Sequence, residues 1–233
     1  MRSWLGEDTL AGPGHGWTVR RKSEGDGTAS SESTVAKRHP TLPPEATLGA
    51  LVQWLRSEDV PGLIIGGIAS SLLGRPRLTR DVDVLILLEE RRWERFLSAG
   101  VRFGFLARTE DALGFARRSR VFLVRHEPSG VDIDISVAAL PFEEESIAQV
   151  RWIKAGKISL PLPTPENLII MKAVAHRPQD MADIKALLDA NPKVNLRRIR
   201  RWVKEFSSAL DAPDILSDLE SLLRRSRTRK GGK

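Results

Sequence analysis

From Pro43 onward, apolar residues recur in short, regular patterns. In "EATLGALVQWLRSEDV", Leu48, Leu51, Val52 and Leu55 return at helical spacing, which predicts an amphipathic helix. "GLII" reads as a short buried strand broken by Gly66 and Gly67, and "IASSLLG" as a helix ended by Gly74. "DVDVLILL" predicts a second strand, "EERRWERFLSAG" a second helix and "EDALGFARRS" a third. "RVFLVRHE" and "GVDIDISVAAL" follow as adjacent strands, with "PSG" between them as a hairpin-like turn. Past Pro141 the pattern is mostly helical, in "PFEEESIAQV", "TPENLIIMKAVAH", "PQDMADIKALLDA", "NLRRIRRWVKEFSSAL" and "DILSDLESLLRR". No internal repeat is present.

The ends of the chain lack this rhythm. Residues 1–42, with "SEGDGTASSESTVAKRHP", carry glycine, serine and scattered charge without a sustained period, which predicts a disordered segment. The chain therefore divides into that segment, a core at 43–162, a helical C-terminal half at 163–223 and a basic disordered tail at 224–233. The element order predicts an α/β (α+β) fold, a small mixed sheet flanked by helices with the helical half closing one side of a cleft.

Composition narrows the setting. A chain of 233 residues can bury one good core and a small helical appendage. The formal charge of +7 suggests nucleic acid until it is located: residues 1–41 hold 6 basic and 5 acidic residues, and "RRSRTRKGGK" holds 6 basic and none acidic. The 25 basic and 25 acidic residues left between them make the core neutral, so the basicity sits in the tail, as a nonspecific contact for phosphate backbones or as a solvated disordered charge run. With no cysteine the chain has neither disulfides nor thiolate metal sites. The run from Leu63 to Gly74 is 12 residues with two serines, too short for a membrane span, and no secretory pattern opens the chain; a cytoplasmic protein is expected.

Against that background Asp81 and Asp83 stand out, because carboxylates beside so apolar a strand are costly unless water, a basic side chain or a metal compensates them. Alternate strand residues share a face, so Asp81 and Asp83 lie roughly 7 Å apart on one side, and Asp132 and Asp134 repeat the arrangement. Three carboxylates converging from neighbouring strands can hold two divalent ions about 3.5–4 Å apart for phosphoryl transfer, and Mg2+ suits such oxygen ligands. A strand ending in Gly66-Gly67 and entering a helix lets backbone amides approach a triphosphate. Other chemistries fail on spacing. The four histidines form no ligand pair, there is no Gly-Lys-Ser/Thr loop and no Gly-x-Ser-x-Gly, "GPGHG" has no flanking strand or helix, and "FEEESI" reads as a solvated first helical turn.

"GGIASSLLGRPRLTRDVDV" resembles the signature of the polymerase-beta-type nucleotidyltransferase superfamily, Gly-Gly on a strand-to-helix turn followed by Asp-x-Asp on the next strand. Arg77, Thr79, Asp81 and Asp83, read as Arg-x-Thr-x-Asp-x-Asp, are most similar to the branch of AbiEii-type toxins and related small bacterial nucleotidyltransferases. "PTPENLIIMKAVAHRPQDMADIKALL" is similar to that branch's helical segment, a lysine followed by Arg-x-x-Asp-x-x-Asp. The resemblance implies the nucleotidyltransferase fold and Asp81, Asp83 and Asp134 as metal ligands, with Asp134 preferred to Asp132 because it stands shortly before "ISVAALPFE". It implies Lys172 as a catalytic cation neutralising the triphosphate, and Gly66, Gly67, Ser70, Arg77, Thr79, Asp180 and Asp183 on the nucleotide's side. Structural roles compete at several of these positions: Lys172 as a snorkelling lysine, Asp180 as a helix N-terminal residue after Pro178, and Ser70 as an ordinary helix residue. The implied reaction is Mg2+-dependent transfer of a nucleoside monophosphate to an acceptor hydroxyl. The expected partners are a nucleoside triphosphate, RNA or transfer RNA and an antitoxin protein. Two alternatives are an aminoglycoside-like small-molecule acceptor and a non-catalytic nucleotide- or partner-binding module.

Overall fold

A computed structural model describes residues 42–230, with side chains as far as Arg224. Of the disordered segment expected at 1–42, residues 1–41 lie outside the described residues. Chain order among the described elements is α1 (Glu45–Ser57), β1 (Gly62–Ile64), α2 (Gly66–Leu73), β2 (Val82–Ile86), α3 (Trp93–Gly100), β3 (Phe105–Ala107), α4 (Ala112–Ser119), β4 (Val121–His126) and β5 (Val131–Val137). There follow α5 (Pro141–Ala148), β6 (Arg151–Ala155), β7 (Ile158–Leu162), α6 (Pro165–Ala175), α7 (Pro178–Ala190), α8 (Leu196–Ala209) and α9 (Pro213–Lys230).

The main sheet runs β1-β2-β5-β4-β3, and among the described strands its only parallel pair is β2 with β5. That pair brings the two Asp-x-Asp strands side by side. On β5, Ile133, Ile135 and Val137 are buried while Asp132, Asp134 and Ser136 are half-buried, so the strand's alternation separates a core face from a polar face. The core face is filled by α1 and α3: Trp54 stacks on Phe96 with ring centroids 4.3 Å apart and on Phe105 at 5.1 Å, and Trp93 meets Phe122 edge-on at 5.3 Å. On the polar face, Leu85, Leu63, Ile65, Ala138 and Ile147 form a second, smaller apolar cluster.

Several parts of the fold differ from the sequence-based expectation, among them the short edge strand β3, which no periodicity predicts. Gly66 and Gly67 do not merely break the strand; they form the first turn of α2. The stretch "RWIKAGKISLPL", where no strand is predicted, forms the antiparallel β6–β7 hairpin around Gly156, whose φ of 62° places it in the left-handed region. Helix starts follow local chemistry. The Thr164 side chain accepts from the Asn167 N–H at 3.2 Å and Pro165 stands at the first position of α6, while Pro178 does the same for α7. The last helix continues to Lys230, through most of the expected basic tail. The described residues fall in one compact unit. No described helix is long and apolar enough to cross a membrane.

Candidate active site

Strand register builds the site. Asp83 on β2 is the direct partner of Asp134 on β5, and Asp134 in turn faces Leu123 on β4. In-register neighbours share a face of the sheet, so both carboxylates emerge on the polar face beside the mouth of α2. Asp81 is exposed, one residue before β2 begins. Asp132 pairs instead with Arg125, its cross-strand partner, through hydrogen bonds of 2.7 and 3.1 Å. Those bonds hold the Asp132 carboxyl below its usual range.

The paired carboxylates are electrostatically loaded. Burial pushes the Asp83 carboxyl up and Asp134 adds to the rise, against the pull of Lys172, Arg177 and the Gly67 N–H. Asp134 is raised as well, by burial first; Arg108 opposes the rise and Asp81 reinforces it. Burying neighbouring negative charges is what a bound cation would relieve. An all-oxygen donor set on adjacent strands fits a hard divalent ion in chemistry. Among the described residues, no three His, Cys, Asp or Glu side chains are gathered around one point that could hold a metal ion.

The glycine pair is explained by its close approach to neighbouring side chains. Gly66 has φ 61°, and a Cβ there would fall 1.8 Å from Asp83 Oδ2; at Gly67 it would fall 2.7 Å from Thr79 Oγ1 and 3.1 Å from Arg77 Nη2. The loop into β2 is therefore folded onto the first turn of α2, and only residues without a side chain allow it. Among the described residues, the buried Thr79 hydroxyl finds no hydrogen-bond partner. Ser70 is bonded within its own helix. Its hydroxyl donates to the Gly66 carbonyl at 2.9 Å and the residue is 2% exposed, as an ordinary buried helix serine would be.

Behind the sheet site stands a buried ion network. His176, at φ 53°, lets the chain reverse between α6 and α7 and brings Lys172 against Asp180 and Asp183. The Lys172 Nζ lies 2.7 Å from Asp180 Oδ1 and 2.8 Å from Asp183 Oδ2, and the residue is 4% exposed, so it does not snorkel to solvent. Asp183 also binds Arg77 through two hydrogen bonds of 3.2 Å, and Asp180 binds Arg177 at 2.7 Å. Burial pushes both carboxyls up, yet the hydrogen bonds and charges of Arg177 and Lys172 at Asp180, and of Lys172 and Arg77 at Asp183, hold them below their usual range. Asp180 and Asp183, expected on the nucleotide's side, are instead engaged by cations of the protein itself. Arg77 joins this network to the Gly67 turn.

Sequence reasoning missed Arg108. Its guanidinium hydrogen-bonds Asp134 Oδ1 and lies 3.3 Å from Asp132 Oδ2. No local motif marks it, since it reaches these carboxylates only through the register of three strands.

Its family match makes this mixed-sheet protein, with paired strand carboxylates beside a Gly-Gly helix turn, a nucleotidyltransferase. The family described as "Nucleotidyl transferase of unknown function (DUF2204)" matches residues 45–221, and the chain belongs to it. No curated protein sequence matches the chain. Among solved structures, the antibiotic-resistance factor ANT(2'')-Ia is similar with a TM-score of 0.50 at 12% identity, over 72% of this chain and 93% of that one. An antigenic nucleotidyltransferase-like protein from Paracoccidioides brasiliensis is similar with a TM-score of 0.48 at 18% identity, over 76% and 92%. The lincosamide antibiotic adenylyltransferase LnuA reaches 0.46 at 16%, over 64% and 98%.

Proposed function

We propose that this nucleotidyltransferase moves a nucleoside monophosphate from a triphosphate to an acceptor hydroxyl with the help of Mg2+. The facing of Asp83 and Asp134 beside the Gly66-Gly67 turn carries this reading. Asp81, Asp83 and Asp134 would hold the cation, which, when bound, screens the phosphates and stabilises charge on attacking and leaving oxygens. The first turn of α2 offers backbone amides and a positive helix end to the triphosphate. Asp134, whose carboxyl sits above its usual range, is suited to take the proton of the acceptor hydroxyl. Lys172 acts from behind: its charge is felt at Asp83, and its bonds to Asp180 and Asp183 brace α6 against α7. Arg77, Thr79 and Gly67 shape the phosphate side of the cleft.

RNA, and transfer RNA in the manner of an AbiEii-like toxin checked by an antitoxin in the cytoplasm, is the acceptor we favour. Arg75 and Arg80 are exposed on the loop entering β2 and Arg177 is 71% exposed, a cationic rim that suits a polyanion. A second reading, a small-molecule acceptor, is favoured by the fold shared with ANT(2'')-Ia. The test is incubation with each labelled nucleoside triphosphate, Mg2+ and either total RNA or an antibiotic panel, with Asp83→Asn in parallel. Label in RNA that Asp83→Asn abolishes is the expected result. Label confined to small molecules overturns the RNA assignment, and bound nucleotide without any transfer overturns the reaction.

A further inference from the structure

The row of residues that crosses the polar face does not end at the two carboxylates. Asp83 faces Asp134, Asp134 faces Leu123, and Ala107 on β3 faces Val124 on β4, which sets Arg108 beside Leu123. The Arg108 N–H donates to the Leu123 carbonyl at 2.9 Å and fixes the backbone there. The side chain therefore starts two strand spacings from Asp134, roughly 10 Å away, and reaches back over Leu123 to it. Lysine has nearly the same length and charge, and arginine adds a planar fork for two acceptors. Arg108 uses the fork on Asp134 and Asp132, and Asp132 is separately satisfied by Arg125. Asp134 has no such second cation: among the described residues, its bond to Arg108 is the direct compensation of its charge.

We propose that Arg108 is a displaceable counter-ion, a latch that occupies Asp134 until a divalent cation takes its place. The inference rests on the metal role assigned above to Asp83 and Asp134. Two positive charges held on one carboxylate repel each other and share its basicity, so a divalent cation and the Arg108 guanidinium compete at Asp134. The backbone anchor at Leu123 and the Arg125–Asp132 pair stay in place, so only the Arg108 side chain has to move. The side chain is 26% exposed, which gives it a path outward to the mouth of the cleft, where an incoming phosphate can receive it. The latch therefore favours a cation that arrives with its nucleotide over a cation alone.

Mn2+ titration without nucleotide, followed by calorimetry or by the electron spin signal of free Mn2+, tests this on the whole chain. Arg108→Gln removes the competing charge, Arg108→Lys keeps it, and Asp83→Asn removes a ligand. The expected result is binding about threefold to tenfold tighter in Arg108→Gln, near wild-type affinity in Arg108→Lys, and loss in Asp83→Asn. Equal or weaker binding in Arg108→Gln, with Asp83→Asn still losing Mn2+, overturns the latch and leaves the metal site standing. Tightening of the same size in Arg108→Lys also overturns it, because the effect would not be one of charge. Absence of Asp83-dependent Mn2+ binding in both the wild type and Arg108→Gln removes the metal site and the latch together.

Discussion

Lys172 shows how one side chain links stability to the site. Its ammonium is buried between two carboxylates, and Arg77 and Arg177 complete the network. Removing one partner of a buried pair leaves charge uncompensated and costs about 3–5 kcal/mol. Because both arginines remain on the carboxylates, the lower end applies to Lys172→Met, a fall in Tm of roughly 6–12 °C for a chain of this size. The pH dependence has a definite sign. Asp180 and Asp183 titrate below their usual range in the folded protein, so the unfolded chain takes up protons first as pH falls. Their contribution is complete above about pH 5 and disappears as pH drops through the folded values. Thermal melts should therefore give a gap between wild type and Lys172→Met that is widest near pH 7 and narrows toward pH 3. A gap independent of pH would show that impaired packing, not charge, is responsible. Asp83 behaves oppositely, since its folded carboxyl is raised and its charge is a liability at neutral pH. Asp83→Asn should abolish transfer while its Tm stays level or rises, by about 2–4 °C for each kcal/mol of repulsion and desolvation relieved.

At the scale of elements, the turn from β1 into α2 is where conformation and chemistry meet. Gly66→Ala places a Cβ in a left-handed position and on the Asp83 carboxylate. Backbone strain alone costs roughly 1–2 kcal/mol, and the carboxylate has to move as well. Transfer should therefore fall by more than stability does, read as a drop in kcat/KM beside a Tm decrease of a few degrees; full activity would show that Asp83 can shift freely. This turn is legible in the sequence because it depends on local features, two glycines and an alternating strand. β2, β4, β5 and the C-terminal helices are legible for the same reason, since their apolar periods are strong. The β6–β7 hairpin is not: Trp152 and Lys154 lie exposed and its pattern is nearly as polar as a loop. Proximity to the glycines suggests a ligand role for Ser70, whereas a bond to the helix backbone decides its fate. The ion partners of Asp180 and Asp183, and Arg108 above all, depend on which elements become neighbours, which no local spacing encodes.

For the whole molecule, charge placement decides how an RNA acceptor would be held. The core balances its charges, while residues 225–233 carry five basic and no acidic residues. Leu219 and Leu223 are buried positions of α9, and a chain ending at Arg224 keeps both. Deleting 225–233 should therefore leave Tm close to wild type and leave transfer to any small acceptor unchanged. If RNA is the acceptor, the deletion should weaken RNA binding and flatten its dependence on salt. For every phosphate that the shortened chain no longer neutralises, the slope of log affinity against log salt falls by roughly 0.7 for a single strand and 0.9 for a duplex. Binding measured between about 50 and 200 mM salt separates the cases, since that range shifts the affinity of a site holding many phosphates by orders of magnitude. An unchanged slope, with RNA still labelled, would place the RNA on the rim of Arg75, Arg80 and Arg177, and Arg80→Ala should then reduce the slope where the deletion did not.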